Sequence, residues 1–257
     1  MKVFIIGTGN VAIALGKAVV KSGHHLAGVL GRDEKKTTSL ATKLKCRFYT
    51  DPAQIPIAAD IYIIAIKDDA ITGVIKTLPP VKGIVAHTSG ASPAGILKKF
   101  AHSGVLYPVQ TITKNYPSSF KGIPFCIEGS DELTLKKLMR FAGSISDEIY
   151  VLNSDQRAAL HVAAVFANNF TNYLLGIATE ILHQQHLPAT LLGPLGHSTV
   201  KNAFTKGAIA SQTGPAVRND LDTIARHLEF LKNNKEHTAL YNLLTAQIRN
   251  VHNKKKK

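Results

Sequence analysis

The chain has 257 residues, long for one compact domain and comfortable for two. It is 45 % hydrophobic and 19 % charged, which supplies a real core and excludes a disordered chain. The net charge is +14, with four of those charges in the terminal run Lys254–Lys257; with no Trp and only 7 % aromatics, the basic excess reads as a solvated surface that attracts small anions, not as a nucleic-acid stripe.

The opening "MKVFIIGTGNVAIALGKAVV" has the outline of a secretory leader, but Gly7, Gly9 and Gly16 interrupt the apolar run and no cleavage-type end follows. "KVFII" reads as a strand, "GTGN" opens a helix to about Ser22, "HHLAGVLG" is a second strand, and a charged helix spans about 34–45. "IYIIAI" at 61–66 is apolar throughout, the pattern of a strand buried on both faces. "GIVAHTSG", "GVLYPVQTI", "IPFCIEG" and "DEIYVL" are further strands, with a helix near 131–143 before the last. This alternation predicts an α/β chain, a Rossmann-like, doubly wound and mostly parallel sheet with helices on both faces. No strand pattern follows residue 153. The boundary is placed there, giving a nucleotide-binding domain over 1–153 and an all-α domain over 154–257, whose last four lysines are expected to be disordered. Ser154 or Asp155 can cap the first helix of the second half. Cys46 and Cys126 lie far apart without metal-ligand spacing, pointing to a reducing compartment, and no membrane-length apolar stretch is present; a cytoplasmic protein is expected.

Gly7-Thr8-Gly9-Asn10-Val11-Ala12 matches G-x-G-x-x-A between a strand and a helix. Gly7 would permit the tight turn, Gly9 the approach of backbone N–H groups to a pyrophosphate, and Ala12 close packing of helix on sheet. The bland alternative is an ordinary glycine-rich turn. At the end of the second strand, "VLGRDEKK" puts Arg32 where a dinucleotide's ribose would lie, with Lys35 and Lys36 behind it. A cation there suits a 2′-phosphate, hence NADP over NAD, although Asp33 could serve a ribose hydroxyl one residue on.

Two more loops follow strand ends. "AIKDDA" places Ala65, Ile66 and Lys67 beside the cofactor, or serves as an acidic first helical turn. "AHTSGA" supplies His87, Thr88 and Ser89; the serine can donate to a substrate oxygen or cap the helix that Pro93 helps start.

In "LHVAAVFANN", His161 and Asn168 interrupt an apolar helix. On a 3.6-residue helix, positions 161, 165, 168 and 172 fall within roughly a 60° arc, so His161, Val165, Asn168 and Asn172 form one stripe flanked by Asn169. A histidine there could pass a proton to or from a carbonyl or alcohol oxygen, with asparagines holding that oxygen; the alternative is a buried polar network. Further on, Arg218 in "TGPAVRND" offers a planar fork for a carboxylate or phosphate, or a surface cation.

"IIGTGNVA", "HTSGA", "LYPVQT", "HVAAVFANNFTNYL" and "TGPAVRND" together resemble a family of NADP oxidoreductases that combine a Rossmann-like N-terminal domain with a helical C-terminal domain of unknown function. The wider kin are the 6-phosphogluconate dehydrogenase-like enzymes, among them 3-hydroxyisobutyrate dehydrogenase, pyrroline-5-carboxylate reductase and deazaflavin-dependent NADP reductases. The resemblance covers almost the whole chain. It implies a homodimer packed through the helical domains and an active site in an interdomain cleft. Hydroxyacid dehydrogenases of this kind carry a lysine three residues before an Asn-Asn pair; Asn168 and Asn169 match the pair, but Val165 stands at the lysine position, one turn after His161.

The leading expectation is therefore an NADP-linked oxidoreductase acting on a small anionic carbonyl, alcohol or imine. His161 is its acid/base, Asn168 and Ser89 hold the reacting oxygen, and Asn169, Asn172, Gln110 and Arg218 are the substrate contacts. The rivals are a non-catalytic dinucleotide-binding sensor or assembly protein and a nucleic-acid-associated protein acting through its basic tail.

Overall fold

The computed structural model describes residues 1–114, 116 and 119–253, so the expected disorder of 254–257 lies outside the described residues. The chain divides into two compact units, Met1–Ala167 and Asn168–Lys257.

The first unit is built on β1 (Lys2–Ile6), β2 (His25–Leu30), β3 (Arg47–Tyr49), β4 (Ile61–Ile64), β5 (Ile84–His87), β6 (Ser103–Pro108), β7 (Phe125–Gly129) and β8 (Ile149–Val151), with α1 (Asn10–Lys21), α2 (Glu34–Leu44), α3 (Asp68–Thr77) and α4 (Glu132–Gly143) between them. Among the described residues these strands form one eight-stranded sheet in the order β3-β2-β1-β4-β5-β6-β7-β8. Every neighbouring pair is parallel except β6 with β7. The first six strands follow the Rossmann order, and chain direction across the sheet reverses between β1 and β4, where such sheets open a crevice at their carboxyl ends. The expected α/β class and mostly parallel sheet are borne out.

Apolar runs rather than alternation mark these strands because both faces are covered. Val3, Ile5, Ile61 and Ile63 join Leu15, Leu40, Leu138 and Phe141 in one core. Phe4, Ile6, Tyr62 and Ile64, one residue out of step, join Ile71, Ile75 and Leu97 in the other. The strand expected to run through "GVLYPVQTI" ends at Pro108, which has no N–H for the ladder.

After β8 comes α5 (Ser154–Ala164). Its cap is neither Ser154 nor Asp155. The Asn153 side chain accepts from the Gln156 N–H at 2.8 Å, and the Gln156 Oε1 accepts from the Asn153 N–H at 3.0 Å, a reciprocal capping box. Ser154 is thereby left to bind elsewhere. Residues Val165–Phe170 then wind as a π-helix before α6 (Thr171–Gln184). The single 3.6-residue spiral assumed for His161, Val165, Asn168 and Asn172 is therefore corrected: hydrogen bonding widens to i→i+5 across the asparagines, and the stripe loses its phase.

The second unit continues with α7 (Gly193–Asn202), a second π segment (Ala203–Gly207), α8 (Pro215–Arg218), α9 (Leu221–Leu231) and α10 (Lys235–Asn253). "GPLG" starts α7, Pro194 occupying its first turn, where its missing N–H costs nothing.

Candidate active site

The turn after β1 is shaped by Gly7. Its φ is +129°, and a Cβ there would lie 2.2 Å from the Ala65 carbonyl oxygen, so only glycine lets β1 and β4 release their loops side by side. Gly7 donates its N–H to the Leu30 carbonyl at 2.8 Å, and Ala65 donates to Ile6 at 2.8 Å, which ties the ends of β2, β1 and β4 into one rim. Gly9 is different. Its φ of −78° suits any residue, and a Cβ would meet nothing within 4 Å. The fold does not require glycine there; an open approach to the N–H groups of α1 does.

Among the described residues no side chain caps those N–H groups. The first turn of α1 has no side-chain cap and no acid. By contrast α2 is capped by Asp33, α4 by Asp131 and α5 by Asn153, and α3 carries Asp68 and Asp69 in its first turn. The N-terminus of α1 thus keeps the partial positive charge and free donors that bind an anion. Thr8, Gly9, Asn10 and Val11 border this end, from half-buried to exposed. At the tip of β2, a Cβ on Gly31 would lie 2.6 Å from Thr8 Cγ2, so the loop carrying Arg32 packs directly on the turn after β1. Arg32 is exposed. Asp33 caps α2, accepting from the Lys36 N–H at 3.0 Å, which holds its carboxyl below the usual carboxylate range. On the β4 loop, Ala65 is buried, Ile66 is half-buried and Lys67 is exposed at the head of α3.

The turn after β5 is held from inside. His87 is fully buried, its Nδ1 accepting from the Ser89 N–H at 3.2 Å, which leaves the proton on Nε2. Burial, and next the Arg157 charge, push its pKa down to about 4 against a weaker opposing pull from the Pro93 backbone. Thr88 donates its backbone N–H to the Ile64 carbonyl at 3.1 Å. The buried Ser89 Oγ accepts from the N–H groups of Ala91 at 3.1 Å and Ser92 at 2.9 Å. The helix expected to start at Pro93 is instead a 3-10 turn, Ala94–Leu97, without a side-chain cap, so Ser89 caps no helix; its acceptor positions shape the turn before it, and its O–H remains a donor.

Arg157, 1 % exposed, is the brace behind this turn. Its guanidinium pairs with Glu128 on β7 and donates to the Ser92 carbonyl at 2.7 Å. Ser154 completes the knot, donating to the Glu128 carboxylate at 3.0 Å and accepting from the Ala94 N–H at 3.1 Å. One helical turn beyond Arg157, half-buried His161 meets Tyr107 at the end of β6: Tyr107 Oη and His161 Nδ1 are 3.3 Å apart, with the rings edge to face. Gly90 makes room for both, since a Cβ there would lie 2.7 Å from His161 Nδ1 and 2.7 Å from Tyr107 Cζ. The structure therefore brings Ser89 and His161 together around Gly90. Neither Tyr107, Gly90 nor Arg157 had been assigned a role from the sequence. An arginine in the first turn of an apolar helix was the one visible signal.

The remaining expected residues are exposed. Gln110 accepts from the Thr111 N–H at 2.8 Å and is hydrogen-bonded to Tyr116. Asn168, Asn169, Asn172 and Arg218 belong to the second unit, where Asn168 donates to Asn169 at 3.5 Å. Among the described residues no group of three or more His, Cys, Asp or Glu could hold a metal ion.

The strand order, with an uncapped helix N-terminus at the reversal point, defines a Rossmann-like protein. The "Rossmann-like domain" family matches residues 1–111, and the "Domain of unknown function (DUF2520)" family matches residues 123–248. A putative NADP oxidoreductase from Bacteroides fragilis is 33 % identical, with 97 % of this chain and 98 % of that chain covered and a TM-score of 0.87. The chain belongs to this family of Rossmann-like proteins with a DUF2520 domain, as the sequence motifs implied. Two more distant structures share the fold. A reductive aminase from Aspergillus terreus in complex with NADPH and ethyl levulinate is 16 % identical over 97 % of this chain and 94 % of that chain, TM-score 0.74. An imine reductase from Myxococcus stipitatus in complex with NADP+ is 15 % identical over 97 % and 93 %, TM-score 0.67. No match is found among curated proteins.

Two predictions follow from this geometry. Gly7→Ala should destabilise the protein by about 2 kcal/mol or more, through the disallowed φ and the Ala65 contact. Gly9→Ala should cost no more than about 1 kcal/mol; urea unfolding of the two variants measures the contrast. For His87, the folded pKa lies below the unfolded value of 6.5. The unfolded state binds the extra proton, so stability is full above pH 6.5, falls as pH drops toward 4 and levels off below it. The loss amounts to roughly 3 kcal/mol. Unfolding at pH 7 and 4.5 should show a steeper fall for the wild type than for His87→Gln.

Proposed function

We propose that the protein is an NADP(H)-dependent reductase that transfers a hydride to a small carbonyl or imine compound. The observation that carries this reading is the uncapped, acid-free N-terminus of α1 behind an open Gly9, with Arg32 on the neighbouring loop. The N–H groups around Gly9, Asn10 and Val11 would take the pyrophosphate, and Arg32 the 2′-phosphate. The engagement of Asp33 as a helix cap favours NADP over NAD. Ala65, Ile66 and Lys67, and the Thr88 side of the next turn, would border the nucleotide. His87 would act from below by setting that turn. The NADP oxidoreductase relative and the NADP-bound imine reductase and reductive aminase support the same choice.

Bound NADPH supplies the hydride. Ser89 O–H donates to the carbonyl oxygen or imine nitrogen and aligns it. His161 delivers the proton that this atom needs as the hydride arrives, and so takes the place of the lysine that Val165 replaces. Asn168, Asn169, Asn172 and Arg218 are exposed polar and cationic side chains of the kind that select an anionic substrate, with Gln110 a further candidate.

The test is a fluorescence titration with NADPH and NADH, then a screen of carbonyl and imine compounds for cofactor oxidation. NADPH should bind more tightly than NADH. Arg32→Ala should weaken NADPH about 10- to 100-fold and leave NADH nearly unchanged. Gly9→Ala should lose cofactor affinity while remaining folded, and His161→Ala should bind NADPH but turn over slowly. Tight binding with no turnover on any class, unaffected by His161→Ala, would identify the non-catalytic dinucleotide-binding reading that Val165 favours.

The homodimer implied by family resemblance is also proposed. Among the described residues of the second unit only Ala216 and Ile224 are buried apolar side chains, whereas Phe204 is 82 % and Leu195 63 % exposed. A helical unit so poor in core gains stability by burying that surface on a second copy. Sedimentation should give twice the 27.7 kDa chain mass, and Phe204→Glu should shift the protein toward monomer.

A further inference from the structure

We infer that Ser89 selects an uncharged carbonyl as the substrate and refuses an iminium ion, because its hydroxyl is held as a donor with no lone pair to spare. This deepens, and rests on, the reductase reading of the same site. The polarity of Ser89 is set by its own turn. Its Oγ accepts from the Ala91 N–H at 3.1 Å and from the Ser92 N–H at 2.9 Å. A backbone N–H can only donate, so the direction of both bonds is fixed. A serine oxygen has two lone pairs and one proton; both lone pairs are taken, and the proton is the polar function left over. Ser89 is 6 % exposed, and among the described residues no acceptor meets that proton. A buried donor left unmet is costly, and an acceptor on a bound molecule removes that cost.

The turn is pinned in this conformation from three sides. The Ser89 N–H donates to His87 Nδ1 at 3.2 Å, the Ser92 carbonyl accepts from Arg157 at 2.7 Å, and the Ala94 N–H donates to Ser154 Oγ at 3.1 Å. Gly90, the next residue, faces His161 and Tyr107 where a Cβ would stand, so the serine belongs to the same turn that meets the imidazole. A carbonyl suits this polarity throughout the reaction. As the hydride passes from NADPH to the carbonyl carbon, the π pair of the C=O bond moves onto oxygen, and the hydrogen bond from Ser89 to that oxygen strengthens. The oxygen then takes a proton from protonated His161, which returns to neutral. The products are an alcohol and NADP+, and Ser89 keeps its own proton. An iminium ion needs the hydride alone. Its cationic nitrogen would face the positive end of the O–H dipole, and an N–H on it would find no lone pair on Ser89. An imine therefore fits only in its unprotonated form. Asp68, the carboxylate felt by Tyr107, is exposed in the first turn of α3, where the N–H groups of that helix attract it, and gives a cation no buried counter-charge.

The acceptor half of the inference is read without turnover, by amide hydrogen exchange in the full-length protein. The Ala91 and Ser92 amides should be protected in the wild type and should exchange about 5- to 10-fold faster in Ser89→Ala. The donor half is read as a ratio. With NADPH, kcat/KM is compared for cyclopentanone and N-methyl-1-pyrrolinium, rings of one size, and for their six-membered homologues. The ketone should be the better substrate of the wild type. Ser89→Ala should lower the ketone-to-iminium ratio about 10- to 100-fold; a turn that is merely disordered lowers both rates alike and leaves the ratio unchanged. Ser89→Asp, which can accept the same two N–H groups but donates nothing, should lower the ratio further. Unprotected amides in the wild type, faster reduction of the iminium ion, or a ratio unmoved by Ser89→Ala would overturn the inference and leave the reductase reading in place. Reduction of neither class by the NADPH-bound protein would overturn both.

Discussion

The buried ion pair between Arg157 and Glu128 is the constraint on which the candidate site depends. A guanidinium withdrawn from water carries a desolvation penalty of several kcal/mol and must find partners in fixed directions. Arg157 finds them on two different segments, the Glu128 carboxylate on β7 and the Ser92 carbonyl in the turn after β5. Meeting that demand locks the start of α5 onto the turn that presents Ser89 and Gly90. His161 follows Arg157 by four residues on the same helix, so the helix that satisfies the ion pair also delivers the imidazole to Tyr107. The same positive charge adds to burial in keeping His87 neutral, and neutral His87 accepts the Ser89 N–H that shapes the turn.

The anion site rests on a complementary principle, the withholding of a partner. Helices α2, α4 and α5 satisfy their first N–H groups with side chains of their own, and α3 places acids there; α1 does neither. Gly7 is demanded by backbone conformation and by the Ala65 carbonyl, whereas nothing in the fold demands Gly9. A glycine the fold does not need, in front of donors the fold does not use, is informative about a ligand because the internal explanations are absent. On the neighbouring loop Asp33 caps α2 while Arg32 stands exposed.

Much of this was legible in the residues. The runs "KVFII" and "IYIIAI" read as buried strands because the sheet is covered on both faces, a condition that removes polar alternation. The strand–turn–helix around Gly7 was legible because its neighbours in sequence are also its neighbours in space. Other features were not legible. Asn153 as the cap of α5 was passed over for Ser154, whose hydroxyl is recruited by Glu128 from another strand. The π-helical winding at Val165–Phe170 could not be anticipated from helical periodicity, since that periodicity assumes a uniform i→i+4 ladder.

By itself, the sequence determined the class of fold, the glycine turn between β1 and α1, and the family, because each of these is written in contiguous residues whose spacing carries the physics. It also singled out His161 and Ser89, as polar groups in apolar surroundings. Only the tertiary structure decided what those two residues are joined to. Tyr107 lies fifty-four positions from His161, and Glu128 lies twenty-nine from Arg157. No local period links such pairs; the sheet and the placement of α5 against it bring them together, and the small size of Gly90 lets Tyr107 and His161 meet.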